Sequence, residues 1–203
     1  SGSISVARTQ GRMDELMRAI SMARSFGVQI EEISLKEAGE VWPLMRTDDL
    51  VGAIHIPDDG QTVPDRTTMA LVMGATQRGA ALYENVRVTG IGRRNGTATS
   101  VSTDAGEIDC EVVVNCAGMW AREIGLMCGV RVPLHAVDHA YLVTRPIDGV
   151  AFDMPTLRDQ DGYIYFRRDI EDSGGILMGG FEPIAEPWGM DGIPEDYATG
   201  MLN

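Results

Sequence analysis

Apolar positions change period along the chain, and those changes predict its elements. Residues 3–8 alternate as a strand. From Thr9, a residue type that caps helices, apolar positions recur at helical spacing through Met13, Leu16, Met17, Ile20, Ala23 and Phe26, and Gly27 ends the run. A short strand is expected over 28–33. Ser34-Leu35-Lys36-Glu37 then forms a capping box for a second helix that ends near Trp42-Pro43. Methionines along both helices read as gap-filling core residues. Residues 52–57 read as a strand and 58–60 as a turn. Val63-Pro64-Asp65 opens a third helix through Ala70, Leu71, Met73, Gly74 and Ala75 to Arg78-Gly79.

A strand is expected over 80–91. Gly90-Ile91-Gly92 looks like a dinucleotide loop, but such a loop must open a helix, and here alternation continues through Thr97, Thr99, Val101 and Thr103. Asn95-Gly96 therefore reads as a hairpin turn. Over 108–129, Ile108 and Val112-Val113-Val114 give a β-branched run that stops at Asn115-Cys116-Ala117-Gly118. Helical spacing follows through Trp120, Ile124, Met127 and Cys128. A strand buried in a parallel sheet, a tight turn and a helix are expected, with small residues at the strand end where a ligand approaches the backbone. Residues 130–144, 162–168 and 174–180 read as strands of an antiparallel sheet. Pro194-Glu195-Asp196 reads as the start of a further helix.

At 203 residues and 44% hydrophobic the chain can bury a core, in one large domain or parts of two. Its net charge of −13 opposes binding to nucleic acid or to an anionic membrane. Three cysteines, Cys110, Cys116 and Cys128, lie in apolar contexts, as free buried thiols of a reducing compartment would. No apolar run approaches the roughly 20 residues of a membrane helix, so a soluble intracellular protein is expected. Only His55, His135 and His139 are available as imidazole ligands. On a strand, His135 and His139 would stand roughly 13 Å apart at ~3.3 Å per residue, so no metal site is expected.

The segments VVVNCAGMWAREIG, VPLHAVDHAYLVT and MPTLRDQDGYIYFR resemble the flavin-dependent dehydrogenases that demethylate sarcosine and dimethylglycine, within the D-amino-acid oxidase type of FAD enzyme. GSISVARTQ and VTRP are also similar to the regulatory subunit of pyruvate dehydrogenase phosphatase, a relative of those enzymes. The resemblance runs over essentially the whole chain. It implies a mixed α/β fold, with an incomplete FAD-binding Rossmann-like domain interleaved with an antiparallel-sheet substrate domain. On that basis 1–64 belongs to the substrate domain, 65–129 to the FAD-binding domain, 130–186 to the substrate-domain sheet, and 187–203 is a truncated tail. The glycine-rich FAD fingerprint and the covalent flavin attachment of the family fall outside these residues, so the chain reads as the middle of a flavoprotein.

The spacing puts His139 and Tyr141 on one strand face, and Tyr163, Tyr165 and Arg167 on one face of a neighbouring strand. On pattern alone this also describes a polar sheet face turned to water. The resemblance implies a substrate site instead. Arg167 would hold a carboxylate bidentately, His139 or Tyr141 would accept or orient the amine proton, and Tyr165 would complete the surface. For FAD, the resemblance points to Val88 and to the turn with Ala117, Gly118 and Trp120. The implied substrate is a small N-methylated amino acid. The electron acceptor is an electron-transfer flavoprotein or oxygen, and a folate in a downstream domain takes up formaldehyde. The setting is a bacterial cytoplasm or the mitochondrial matrix. The alternative is a non-catalytic regulatory subunit of the phosphatase type on the same fold.

Overall fold

In the computed structural model, which describes residues 1–169 and 174–194, the chain divides into two units. One comprises Ser1–Thr68 and His139–Ile184. The other comprises Met69–Asp138 and the described residues from Ala185 onward.

The first unit opens with β1 (Ser3–Ala7) and α1 (Gln10–Ser25). Thr9 caps the helix, its hydroxyl accepting from the Arg12 amide at 3.2 Å. Met13, Leu16 and Ile20 form the buried stripe and pack with Ala7, Ile30 and Ile54. The stripe is narrower than predicted. Phe26 lies beyond the last turn and is 78% exposed, and Gly27 at φ +74° reverses the chain behind it. Met17 and Met22 are also exposed, so of these helix methionines Met13 is the core residue. Gly52 makes room for it, since a Cβ there would come within 2.6 Å of the Met13 sulfur.

The second strand, β2 (Glu31–Ile33), is shorter than the six residues predicted. Ser34 starts α2 (Leu35–Val41) with a reciprocal box, its Oγ accepting from the Glu37 amide at 3.2 Å and its amide donating to the Glu37 carboxylate at 2.8 Å. The Ser34 hydroxyl, donating to the Glu37 carboxylate at 2.7 Å, and after it the Ser34 amide hold that carboxyl below its usual range. β3 (Gly52–Ile56) follows, and α3 (Pro64–Thr76) carries the chain into the second unit with no buried residue of its own.

That unit holds an antiparallel meander, β4 (Val88–Arg94), β5 (Thr97–Thr103) and β6 (Gly106–Asp109). Asn95 and Gly96, at φ 53° and 83°, make the hairpin between the first two, so Gly90 and Gly92 lie in a paired strand and not in a phosphate loop. Two predicted strands are not formed as expected. The strand expected from residue 80 begins at Val88, and 112–114 forms none, with Val112 and Val114 exposed by 74% and 77%. An apolar β-branched run becomes a strand only where a neighbour takes its backbone hydrogen bonds, and no described strand pairs with either segment. Cys116, expected to be buried, is exposed for the same reason. A 3-10 turn, Gly118–Trp120, leads into α4 (Ala121–Met127), and β7 (Ala136–Val137) follows.

Back in the first unit come β8 (Tyr141–Val143), β9 (Thr156–Asp159), β10 (Ile164–Arg168) and β11 (Ile176–Gly180). β12 (Pro187–Trp188) then pairs with β7 in the second unit. The strand expected over 130–144 is thus two short pieces, and β9 was not predicted. The helix expected at 194–196 runs into residues outside the described ones. The first unit's seven strands run in the order β2-β3-β1-β9-β10-β11-β8, and only β1 and β9 are parallel. Ile4, Val6, Ala53, Leu157 and Ile176 bury one sheet face beneath Ala38, Trp42 and Met154. The Trp42 indole donates to the Pro155 carbonyl at 2.8 Å.

Ile4 is fully buried at the sheet centre, so Ile4→Ala is expected to cost about 2–4 kcal/mol in urea unfolding. Ile184→Ala, at an exposed position, should stay within about 0.5 kcal/mol of the parent.

Candidate substrate site on the seven-stranded sheet

The other sheet face, toward β8, carries the polar and aromatic residues. Strand register aligns Tyr141 with Gly179, Gly179 with Tyr165, and Tyr165 with Arg158, so these four form one row across four strands. A Cβ built at Gly179 would overlap the Tyr165 ring, so the ring lies against the bare backbone of β11 and leans toward the strand of Tyr141. Phe181 packs on Tyr165 with ring centroids 5.5 Å apart, and His139 meets Phe181 edge-on at 6.1 Å. His139 Nδ1 lies 3.3 Å from the Glu182 carboxylate. The Glu182 amide first, and His139 second, hold that carboxyl below its usual range. A carboxylate against Nδ1 favours the tautomer with its hydrogen there, leaving Nε2 as an acceptor.

Arg167, aligned with Leu177, shares this face by alternation but is half-buried, and its Nη1 donates to the Arg168 carbonyl at 3.3 Å. Tyr163 departs from the predicted alternation. It stands at φ 52° in the turn between β9 and β10. That turn is held from outside. Asp159 accepts from the Gly162 amide at 2.9 Å and from Arg8 Nε at 2.8 Å, while Asp161 accepts from the Arg8 amide at 2.9 Å and Arg12 Nε at 3.0 Å. Beside Tyr165 the turn borders a cavity of about 190 Å³, lined by Arg158, Gln160, Tyr163, Ile164 and Phe181 among others. A larger cavity of about 470 Å³ lies against Val6, Leu157 and Phe166 on the opposite face. Its arginines are already matched, Arg8 with Asp49 and Asp159 and Arg46 with Asp48, so the smaller cavity is the better candidate for chemistry.

Val88 is half-buried in β4 of the second unit. In the turn before α4, Asn115 accepts from the Ala117 amide at 3.3 Å and donates to the Ala121 carbonyl at 2.9 Å. Gly118 stands at φ +54° with no atom within 4 Å of where a Cβ would sit, and Trp120 is partly exposed. The arrangement offers open space against bare backbone.

The sequence reading missed Gly179, Phe181, Glu182, Arg158 and Gln160. Paired glycines inside a predicted strand were the one available signal for Gly179, since glycine there marks close approach. Nothing local marked the others: Arg158 reaches the site through register, and Phe181, Glu182 and Gln160 through the segments that follow β11 and β9.

A mixed, largely antiparallel sheet with an aromatic and basic face in one unit, and a meander, an open turn and a short helix in the other, match the fold of FAD-dependent oxidoreductases. L-proline dehydrogenase from P. horikoshii superposes with a TM-score of 0.81 at 28% identity, over 89% of this chain and 48% of that one. The chain belongs to the FAD dependent oxidoreductase family, which matches across residues 1–202. It is 42% identical over 92% of its length to the mitochondrial pyruvate dehydrogenase phosphatase regulatory subunit of Mus musculus, covering 21% of that protein. It is 37% identical over 100% of its length to the mitochondrial sarcosine dehydrogenase of Homo sapiens, covering 22% of it. To the 4-methylaminobutanoate oxidase of Paenarthrobacter nicotinovorans it is 37% identical over 96% of its length, covering 23%. The chain thus spans about a fifth of the length of the curated relatives it matches.

Gly179→Ala is expected to push the Tyr165 ring aside, changing near-ultraviolet circular dichroism and costing about 1–3 kcal/mol. Gly180→Ala, whose Cβ would come no nearer than 3.5 Å to Glu182, should leave the spectrum unchanged. The Arg8 amide, and after it Arg12, hold the Asp161 carboxyl below its usual range. A depressed native value means stabilisation that is present above the unfolded value and lost as pH falls through the native one. The stability gap between the parent and Asp161→Asn should be widest at neutral pH and close as pH falls below about 4, followed by thermal melts.

Proposed function

We propose that the chain is the substrate-binding section, with part of the cofactor-binding section, of an FAD-dependent enzyme that oxidises the N-methyl group of sarcosine or dimethylglycine. The observation that carries this reading is the joining of His139, Phe181 and Tyr165 on one sheet face, in register with Tyr141, beside a cavity of small-molecule size. Relatives named for oxidation of N-methyl amines support it. Ala117, Gly118, Trp120 and Val88 fit a share of an FAD site, because the turn leaves bare backbone open at Gly118. When bound, FAD supplies the two-electron acceptor for hydride leaving the methyl carbon.

The protein residues manage the rest. The substrate amine must lose its proton before hydride departs, and His139 Nε2 or the Tyr141 hydroxyl accepts or orients that proton. Tyr165 and Phe181 wall the reacting methyl group from water. Arg167 adds positive charge to the face and draws the substrate carboxylate toward it in a chain that is otherwise acidic. Hydrolysis of the resulting carbon–nitrogen double bond releases formaldehyde, free or captured by a folate. Electrons pass on to an electron-transfer flavoprotein or oxygen, in a bacterial cytoplasm or the mitochondrial matrix.

The 42% identity to the phosphatase regulatory subunit favours a second reading, in which the fold is kept to bind a partner enzyme without catalysis. Anaerobic visible spectra of the full-length holoprotein separate the two. Bleaching of the flavin band by sarcosine or dimethylglycine is expected, and Tyr141→Phe should slow it about 10–100-fold. Flavin that no N-methyl amine bleaches, with copurification of a phosphatase, would establish the regulatory role instead.

A further inference from the structure

We propose that Arg158, through the cavity beside Tyr165, makes the direct contact to the substrate carboxylate; the proposal rests on the amino-acid substrate assigned above. A water's share of liquid volume is about 30 Å³. The cavity's 190 Å³ therefore has room for several water-sized groups, the scale of sarcosine or dimethylglycine.

Three observations single out Arg158. It lies on the cavity wall, directly opposite Tyr165 in the strand register, so a ligand held by its guanidinium abuts the Tyr165 ring. Its guanidinium makes no ion pair or hydrogen bond among the described residues, whereas Arg8, Arg12 and Arg46 each hold a carboxylate and Arg167 is occupied by a backbone carbonyl. The carboxylate that feels its charge is Asp59, whose value is lowered first by the Ser3 hydroxyl and only in smaller part by Arg158. In a chain of net charge −13, a guanidinium left without a carboxylate is available to an anionic ligand.

The same cavity has a second polar wall. Gln160 Oε1 is buried without a hydrogen-bond partner, while the amide's nitrogen reaches Ser5 Oγ at 3.5 Å. A buried acceptor left unsatisfied is costly, and an N–H of a bound amine or a bridging water would satisfy it. The turn that carries Gln160 is pinned by Asp159 and Asp161, so that wall is in place before a ligand arrives. Arg158 thus serves the carboxylate of the substrate, with Gln160 a second polar group lining the same cavity.

The test measures binding with turnover blocked. In the dithionite-reduced full-length holoprotein, the Kd of sarcosine and of dimethylamine, which lacks the carboxylate, is determined by calorimetry for the parent, Arg158→Gln, Arg158→Lys and Arg167→Gln. Arg158→Gln is expected to weaken sarcosine about 10–100-fold and leave dimethylamine unchanged, with Arg158→Lys recovering part of the loss. Arg167→Gln should weaken sarcosine less. An unchanged sarcosine Kd in Arg158→Gln, a larger loss in Arg167→Gln, or a parent protein that does not prefer sarcosine to dimethylamine would each overturn the proposal. Arg158-dependent binding of sarcosine that never bleaches the oxidised flavin would leave this assignment standing and remove the catalytic one.

Discussion

The parallel pairing of β1 with β9 is the contact on which the first unit depends. It lays Ser3, Ile4, Ser5 and Val6 beside Thr156, Leu157, Arg158 and Asp159, joining two segments far apart in the sequence. Closing so long a loop costs conformational entropy. Burial of Ile4, Val6 and Leu157 on one face of the pair offsets that cost, helped by the bond from Arg8 to the buried Asp159. Without this seam, β1, β2 and β3 with α1 would part from β9, β10, β11 and β8, and the buried cluster joining Ile4, Val6 and Ala53 to Leu157 and Ile176 would be divided.

The candidate site inherits its geometry from the same seam. β9 sets the register of β10, β10 that of β11, and β11 that of β8, so Arg158, Tyr165, Gly179 and Tyr141 align by backbone hydrogen bonds alone. Within that row a missing side chain matters as much as those present, since Gly179 leaves the space into which Tyr165 lies. The arginines of α1 and β1's carboxyl end serve a different purpose. They brace the Asp159–Tyr163 turn from behind, so the charges at the back of the site are spent on rigidity while Arg158 is left facing the cavity.

Family membership defines this architecture more firmly than it defines an activity. The same span of sequence is shared with proteins named as dehydrogenases, as an oxidase and as a regulatory subunit, and it covers about a fifth of each. A fold hosts different functions, so the decision between them rests on the side chains of the site and on whether flavin responds to an amine.

The elements that depend on neighbouring residues were legible from the sequence alone: the Thr9 and Ser34 caps, the Asn95-Gly96 hairpin, the α1 stripe around Met13, Leu16 and Ile20, and the strands carrying Tyr141 and Tyr165. Each follows from hydrogen bonds or side-chain spacing within a few residues. Tertiary structure decided the rest. Val112, Val113 and Val114 have the composition of a buried strand, yet no described strand pairs with them. Of the residues beside Tyr165, Arg158 lies just across a short turn, whereas Gly179 reaches it by register and Phe181 by packing, and Phe181 in turn brings in His139. Local pattern records what a residue prefers; which strand lies beside it is set by long-range pairing, which no window of sequence contains.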